Sequence, residues 1–282
     1  SPARARLCNG GSCQPFSGLR IDGDTVVFEL ADYAATIRAV RRGDSLVGAY
    51  TNVGNRGPRT IPFRASRGRW TAEPANAELL GEWNAWFGAE GRATPRILEF
   101  GNAADGLVGT VLSNSGDYGA FWGGAAGHQF SLGHFDGSFV YMITGEMVGD
   151  SLRGVFHAGL RSHTPFTAAR ATGSAHLKPP TEVTTADTTA PFQFSFPDLE
   201  GKLVTNLDPR FQGKIVMVDI FGTWCPNCHD AAPTLVELYQ AYHAQGFEAV
   251  SLAYEVSGDP AVDGQLVQRF KEKFGIPWPI LL

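Results

Sequence analysis

The chain has 282 residues, 43% of them hydrophobic and 18% charged, an ordinary soluble composition with length enough for two domains. A formal net charge of −5 removes the electrostatic attraction that a basic protein has for nucleic acid or an anionic membrane. No apolar run approaches the roughly 20 residues of a membrane-spanning helix, so no transmembrane segment is expected in this chain.

Residues 1–18 read as an N-terminal extension. "SPARARL" is too short and too polar for an intact signal peptide, so any export signal is expected to have been removed already. Cys8 and Cys13 form the first of two close cysteine pairs. A small local disulfide is the reading for them, because neither a strand nor a helix start frames them in the sequence. "ARLC" lacks the small residues expected before a lipidated cysteine, which argues against a lipid on Cys8.

Residues 19–177 are rich in Gly, aromatics and alternating apolar residues, the pattern of many short strands. A repeat runs through them: "GDSLVGAYTN" from Gly43 leads to "IPFRA", "GDSLRGVFHA" from Gly149 leads to "TPFTA", and "DGLVGTVLSN" from Asp105 is a partial third copy. Each copy places an Asp-containing turn before alternating side chains, and Gly interrupts a face where a strand curves or another backbone comes close. The expectation is an antiparallel β meander closing into a barrel or a strongly bent sheet. "GDSL" also names a hydrolase motif, but a duplicated hairpin turn explains both copies at once. His128, His134, His157 and His163 lack close ligand spacing and are expected as strand-surface residues rather than a metal cluster.

Residues 178–190, rich in Pro, Thr and Ala, are expected as a linker. In residues 191–282 the grammar changes. "KIVMVDIF" is a nearly continuous apolar run that suits a buried strand. Ala232, Leu235, Val236, Tyr239 and Tyr242 then recur at helical spacing up to Gly246. "FEAVSLAYE" is a second strand, and Val262, Leu266, Phe270 and Phe274 mark a second helix closed by Gly275. Strand, helix, strand, helix is an α/β module.

The stretch "VDIFGTWCPNCHD" admits two chemistries: Cys225, Cys228 and His229 fit C-x-x-C-H for a c-type haem, and they contain the C-x-x-C of a dithiol. A haem needs a second axial ligand, yet Met142, Met147 and Met217 all precede the motif, and the only later histidine, His243, shares its helix. The dithiol reading explains the surroundings. A strand delivers the cysteines to a helix start where Pro226 is preset for the first turn, and the free N–H groups there stabilise a thiolate.

"VDIFGTWCPNC" followed by "AAPTL" resembles the active-site stretch of the thioredoxin superfamily, and "APFQFSFPDLEGK" resembles the opening of TlpA-like thiol–disulfide oxidoreductases. The β-rich region, with "GDYGAFWG" and "SLGHFDGSF", is similar to the segment before the redox module in some exported TlpA-like proteins. The resemblance implies a thioredoxin-like fold, an extracytoplasmic location in the bacterial periplasm or at a membrane, and electron exchange with partner disulfides and an upstream donor. No cofactor is implied beyond the Cys225–Cys228 redox pair. Cys225 takes the nucleophile's place and Cys228 the resolving one; Trp224 would shield the site, Pro233 would kink the helix, and Asp219 matches a buried acid. Ala231 stands where many relatives carry Glu. Pro277 and Pro279 match a segment preceding the family's cis-proline, so the fold's last strands are expected beyond Leu282. Two other classes remain in view: a metal carrier using Cys225, Cys228 and His229, and a binding module working through the β region. A thiol peroxidase fits poorly, since "GTWCPNC" lacks the required Pro. His229 itself reads as an exposed first-turn residue.

Overall fold

The computed structural model describes residues 4–54, 57–68, 77–173, 176–185 and 187–282; Ser1 to Ala3 of the extension and Ala186 of the expected linker lie outside them. Strands Arg6–Asn9 and Ser12–Pro15 form a hairpin in which Cys8 faces Cys13, joined in a disulfide. The expectation that no strand frames this pair is therefore corrected. Gly10 and Gly11 make the turn, and Gly10 adopts a φ of 59° that few other residues tolerate. Asn9 clamps the hairpin down by bonding both ways to the Phe135 backbone, at 2.8 and 3.1 Å.

Five strands between Gly18 and Ser66 then form one antiparallel meander. From Gly81 to Arg170 the chain builds an up-and-down barrel: the long strands pair in sequence, the short strand Gly116–Asp117 pairs only with Gly106–Ser113, and Ser162–Arg170 returns to Gly81–Phe87 to close it. Closure removes the unpaired edges of an open sheet. Alternate residues point inward, where Trp83, Leu98, Leu107, Phe121, Leu132, Ile143 and Leu152 are at most 2% exposed. Each such side chain stabilises the fold by roughly 1.5–3 kcal/mol. The Trp83 indole N–H is satisfied by the Leu79 carbonyl at 2.9 Å.

Both "GDSL" copies are two-residue hairpin turns, with Gly43 at φ 61° and Gly149 at φ 57°. The later glycine of each copy has a different reason. A Cβ on Gly48 would lie 2.0 Å from the Arg38 carbonyl oxygen, and one on Gly154 would lie 2.1 Å from that of Thr144. Only glycine lets the neighbouring backbones come this close. His134 departs from the expected surface position: it is 6% exposed, with Nδ1 at 2.8 Å from the Ala120 carbonyl.

One helical turn, Pro180–Val183, interrupts the expected linker. The C-terminal region is a βαβ arrangement of β1 (Ile215–Phe221), α1 (Pro226–Tyr242), β2 (Phe247–Ala253), α2 (Pro260–Phe274) and β3 (Ile280–Leu281). The strands are parallel in the order β1-β2-β3. β2 is the buried central strand. β1 is at an edge, and Ile215 and Ile220 are 76% and 67% exposed, so "KIVMVDIF" is not the fully buried strand its composition suggests. Its apolar run covers one face, over Phe194, Val204 and Phe211. Gly246 at φ 96° and Gly275 at φ 63° end the two helical segments as left-handed caps.

Candidate active site

β1 ends at Phe221, and the chain turns through Gly222, Thr223 and Trp224 before α1 begins. Cys225 is the N-cap of α1 and Pro226 occupies its first turn, where a missing N–H costs nothing. Pro233 lies inside the same helix. The Trp224 indole folds back over Gly222, donates to the Tyr254 carbonyl at 2.8 Å and leaves no room there for a Cβ. Both cysteines are free thiols and half-buried.

The two thiols are chemically distinct. The Cys225 thiol is brought down to about 7, chiefly by the hydrogen bond donated from Cys228, with further help from the Cys228 and Asn227 backbone N–H groups; burial and the Asp136 carboxylate oppose this. Cys228 is pushed up, first because it is that donor, then by burial and by nearby negative charge, Asp219 included. One thiolate is therefore accessible near neutral pH while the other thiol holds its proton. Asp219, on β1, is partly buried, and burial raises its carboxyl while the Ser251 hydroxyl donates to it at 3.1 Å.

His229 differs from expectation. It is 8% exposed because Phe270 and Phe274 of α2 and Tyr33 of the β region pack around it. Its Nε2 lies 2.7 Å from the Thr223 carbonyl, which can only accept, so Nε2 carries the proton and Nδ1 faces the Lys273 ammonium at 3.3 Å. Burial lowers its pKa. Both nitrogens are engaged, and the ring pins helix to turn.

Glu255 escaped the sequence reading. Its carboxylate accepts from the Thr223 N–H and hydroxyl, both at 2.7 Å, and burial raises it. The signal was present in "FEAVSLAYE": parallel strands end side by side, so an acid just past β2 falls beside the turn leaving β1.

The barrel reaches this site. Asn227, between the two cysteines, donates to the Asp117 carbonyl at 3.2 Å, and Phe139 meets Trp224 edge-on at 6.4 Å. Lys273 of α2 pairs with Asp32 at 2.6 Å. A cleft of about 300 Å³ is left between barrel loops and the Cys225 turn.

A strand that hands a C-x-x-C pair with split thiol acidities to a helix N-terminus is the arrangement shared with known redox proteins, and residues 185–282 match the Redoxin family. The C-terminal region is a Redoxin domain. The thiol-disulfide oxidoreductase ResA of Geobacillus thermodenitrificans (strain NG80-2) is 39% identical over 94 residues, covering 33% of this chain and 49% of that protein. ResA of Halalkalibacterium halodurans is 32% identical over 89 residues, 32% of this chain and 46% of its own. The solved thiol:disulfide interchange protein of Chlorobium tepidum TLS aligns with 35% of this chain and 63% of its own at 25% identity, with a TM-score of 0.28. The chain spans about half the length of the curated relatives it matches. The β region lies outside the Redoxin match, and among the described residues no helix is long and apolar enough to cross a membrane.

Proposed function

We propose that the chain belongs to an extracytoplasmic thiol–disulfide oxidoreductase that reduces partner protein disulfides through Cys225 and Cys228. The observation that carries this reading is the split pair at the helix start: Cys225 near 7 and Cys228 held up. The Cys225 thiolate attacks one sulfur of the partner disulfide, and the partner's other sulfur leaves as a thiolate and takes a proton. Cys228 then gives up its proton and attacks the Cys225 sulfur, releasing the partner's second thiolate. Two electrons have passed to the partner, and an upstream dithiol donor re-reduces the Cys225–Cys228 disulfide. Asp219 serves as the proton acceptor for Cys228, Trp224 shields the pair, and Pro226 and Pro233 shape the helix start. No further cofactor enters this cycle. The Cys8–Cys13 disulfide suits an oxidising compartment, which supports the location.

The test mixes pre-reduced protein with a disulfide-bonded peptide and follows the products by mass. Wild type should gain an intramolecular disulfide. Cys228→Ser should accumulate the mixed disulfide on Cys225, and Cys225→Ser should react with neither outcome. Full reactivity in Cys225→Ser would overturn the assignment, and a tightly held metal ion that blocks both thiols would favour a carrier instead.

A further inference from the structure

We infer that the barrel forms one wall of the dithiol cleft and that this wall selects disulfides carried on extended, cationic polypeptide segments. The inference rests on the dithiol reading above. Two segments the redox chemistry does not use, "GDYGAFWG" and "SLGHFDGSF", supply the wall: the first brings Asp117 and Tyr118, the second Asp136 and Phe139, opposite Cys225 and Pro226. The wall is built rather than accidental. Asp117 accepts from the Gly119 N–H at 2.8 Å, and Asp136 holds its turn by accepting from the Ser138 and Phe139 N–H groups, both at 2.7 Å. Gly116, at φ 125°, lies so close to the Asn227 amide that a Cβ would stand 2.5 Å from it.

Size and charge together restrict what can enter. A cleft of about 300 Å³ receives a disulfide with a neighbouring side chain on each side, not the face of a folded domain. Asp230 on α1 joins Asp117 and Asp136, so three acidic residues border the Cys225 cleft, Asp136 with His134 Nε2 at 3.2 Å from its carboxylate, and among the described residues no Lys or Arg lines it. Two cations beside this region are otherwise engaged: Lys273, which lines the adjoining cleft with Pro226 and Asp230, is paired with Asp32, and Arg59 donates to Asn52 and to the Ser138 carbonyl behind the Asp136 turn. A Lys or Arg beside the incoming disulfide offsets this charge, whereas a Glu adds to it. Tyr118, Phe139 and Trp224 give the flanking carbon stems apolar surface.

The experiment uses three short peptides of one sequence, each with a single disulfide flanked by Lys, Ser or Glu, reacted with pre-reduced protein. Second-order rates come from alkylation and mass counting of Cys225 and Cys228. Wild type should prefer the Lys peptide over the Glu peptide at low salt, and that preference should shrink in 0.5 M NaCl. In Asp117→Asn and in Asp230→Asn the Lys-to-Glu ratio should fall about three- to tenfold, as expected for one charge acting across several ångströms of wet cleft. Intrinsic peptide reactivity cancels in that comparison. Asp230 is exposed on its helix, so its variant keeps the test decisive if Asp117→Asn disturbs the turn. The same ratio in wild type and both variants overturns the inference while leaving the dithiol chemistry standing. Failure of the Ser peptide to oxidise the wild-type pair overturns the parent reading.

Discussion

Replacing Cys228 with Ala removes the S–H donor that does most to hold the Cys225 thiol at about 7. A hydrogen bond to a charged acceptor contributes about 1.5–3 kcal/mol, and one pKa unit corresponds to about 1.4 kcal/mol, so Cys225 should climb by about one to two units. Because the pair is only partly buried, solvent screening draws the value toward the lower end. At pH 7 the thiolate fraction should drop from about one half to between roughly 1% and 10%. A more basic thiolate is also a better nucleophile, with a Brønsted slope of about 0.4–0.5, so the alkylation rate at pH 7 should fall only about two- to eightfold. The midpoint of the pH profile is the sharper readout. Pre-reduced protein is alkylated with iodoacetamide from pH 5 to 10, and modification of Cys225 is followed by mass. Wild type should show a midpoint near 7 and Cys228→Ala a clearly higher one, while Cys228→Ser, which keeps a hydroxyl donor, should move less. A midpoint that stays near 7 in Cys228→Ala would refute the hydrogen bond as the cause.

Periodicity and punctuation made much of this fold legible. Gly246 and Gly275 mark the ends of the helical segments because a left-handed cap has few other solutions, and Pro226 marks the start of α1. The repeated "GDSL" segments were readable as turns, and the glycine two residues further on as a close backbone approach. What local sequence could not express was partnership across distance. "KIVMVDIF" is apolar enough for a central strand, but pairing on one side alone leaves Ile215 and Ile220 in solvent. His229 stands beside polar neighbours, and its burial comes from Tyr33, almost two hundred residues earlier, and from α2. Cys8 and Cys13 sit in strands too short to show an alternation. The placement of the Asp117 and Asp136 turns at the dithiol depends on how barrel and Redoxin domain dock, which no single segment encodes.

Three further outcomes follow from the same geometry. Gly154→Ala would put a Cβ 2.1 Å from the Thr144 carbonyl oxygen, so neighbouring barrel strands must separate; a loss of about 1–3 kcal/mol in urea unfolding is expected, and an unchanged midpoint would contradict the close approach. Replacing both Cys8 and Cys13 by Ser opens a loop of sequence separation 5 and should cost about 2 kcal/mol by the loop-entropy relation, read as lost hydrogen-exchange protection in the hairpin and its Phe135 contact. Asp219→Asn separates burial from chemistry. Burial raises the folded-state pKa of Asp219, so its contribution to stability is fully present below the unfolded value and is lost as pH rises through the folded one. The Asn variant should therefore be more stable than wild type at pH 7, and the two should converge toward pH 4 and below. If Asp219 also accepts the Cys228 proton, the same variant should release the second partner sulfur more slowly, with the deficit largest where Cys228 depends most on a local base. Stopped-flow measurement of mixed-disulfide resolution across pH decides the matter: a stability gain with an unchanged rate profile would leave Asp219 a structural acid and remove it from the reaction.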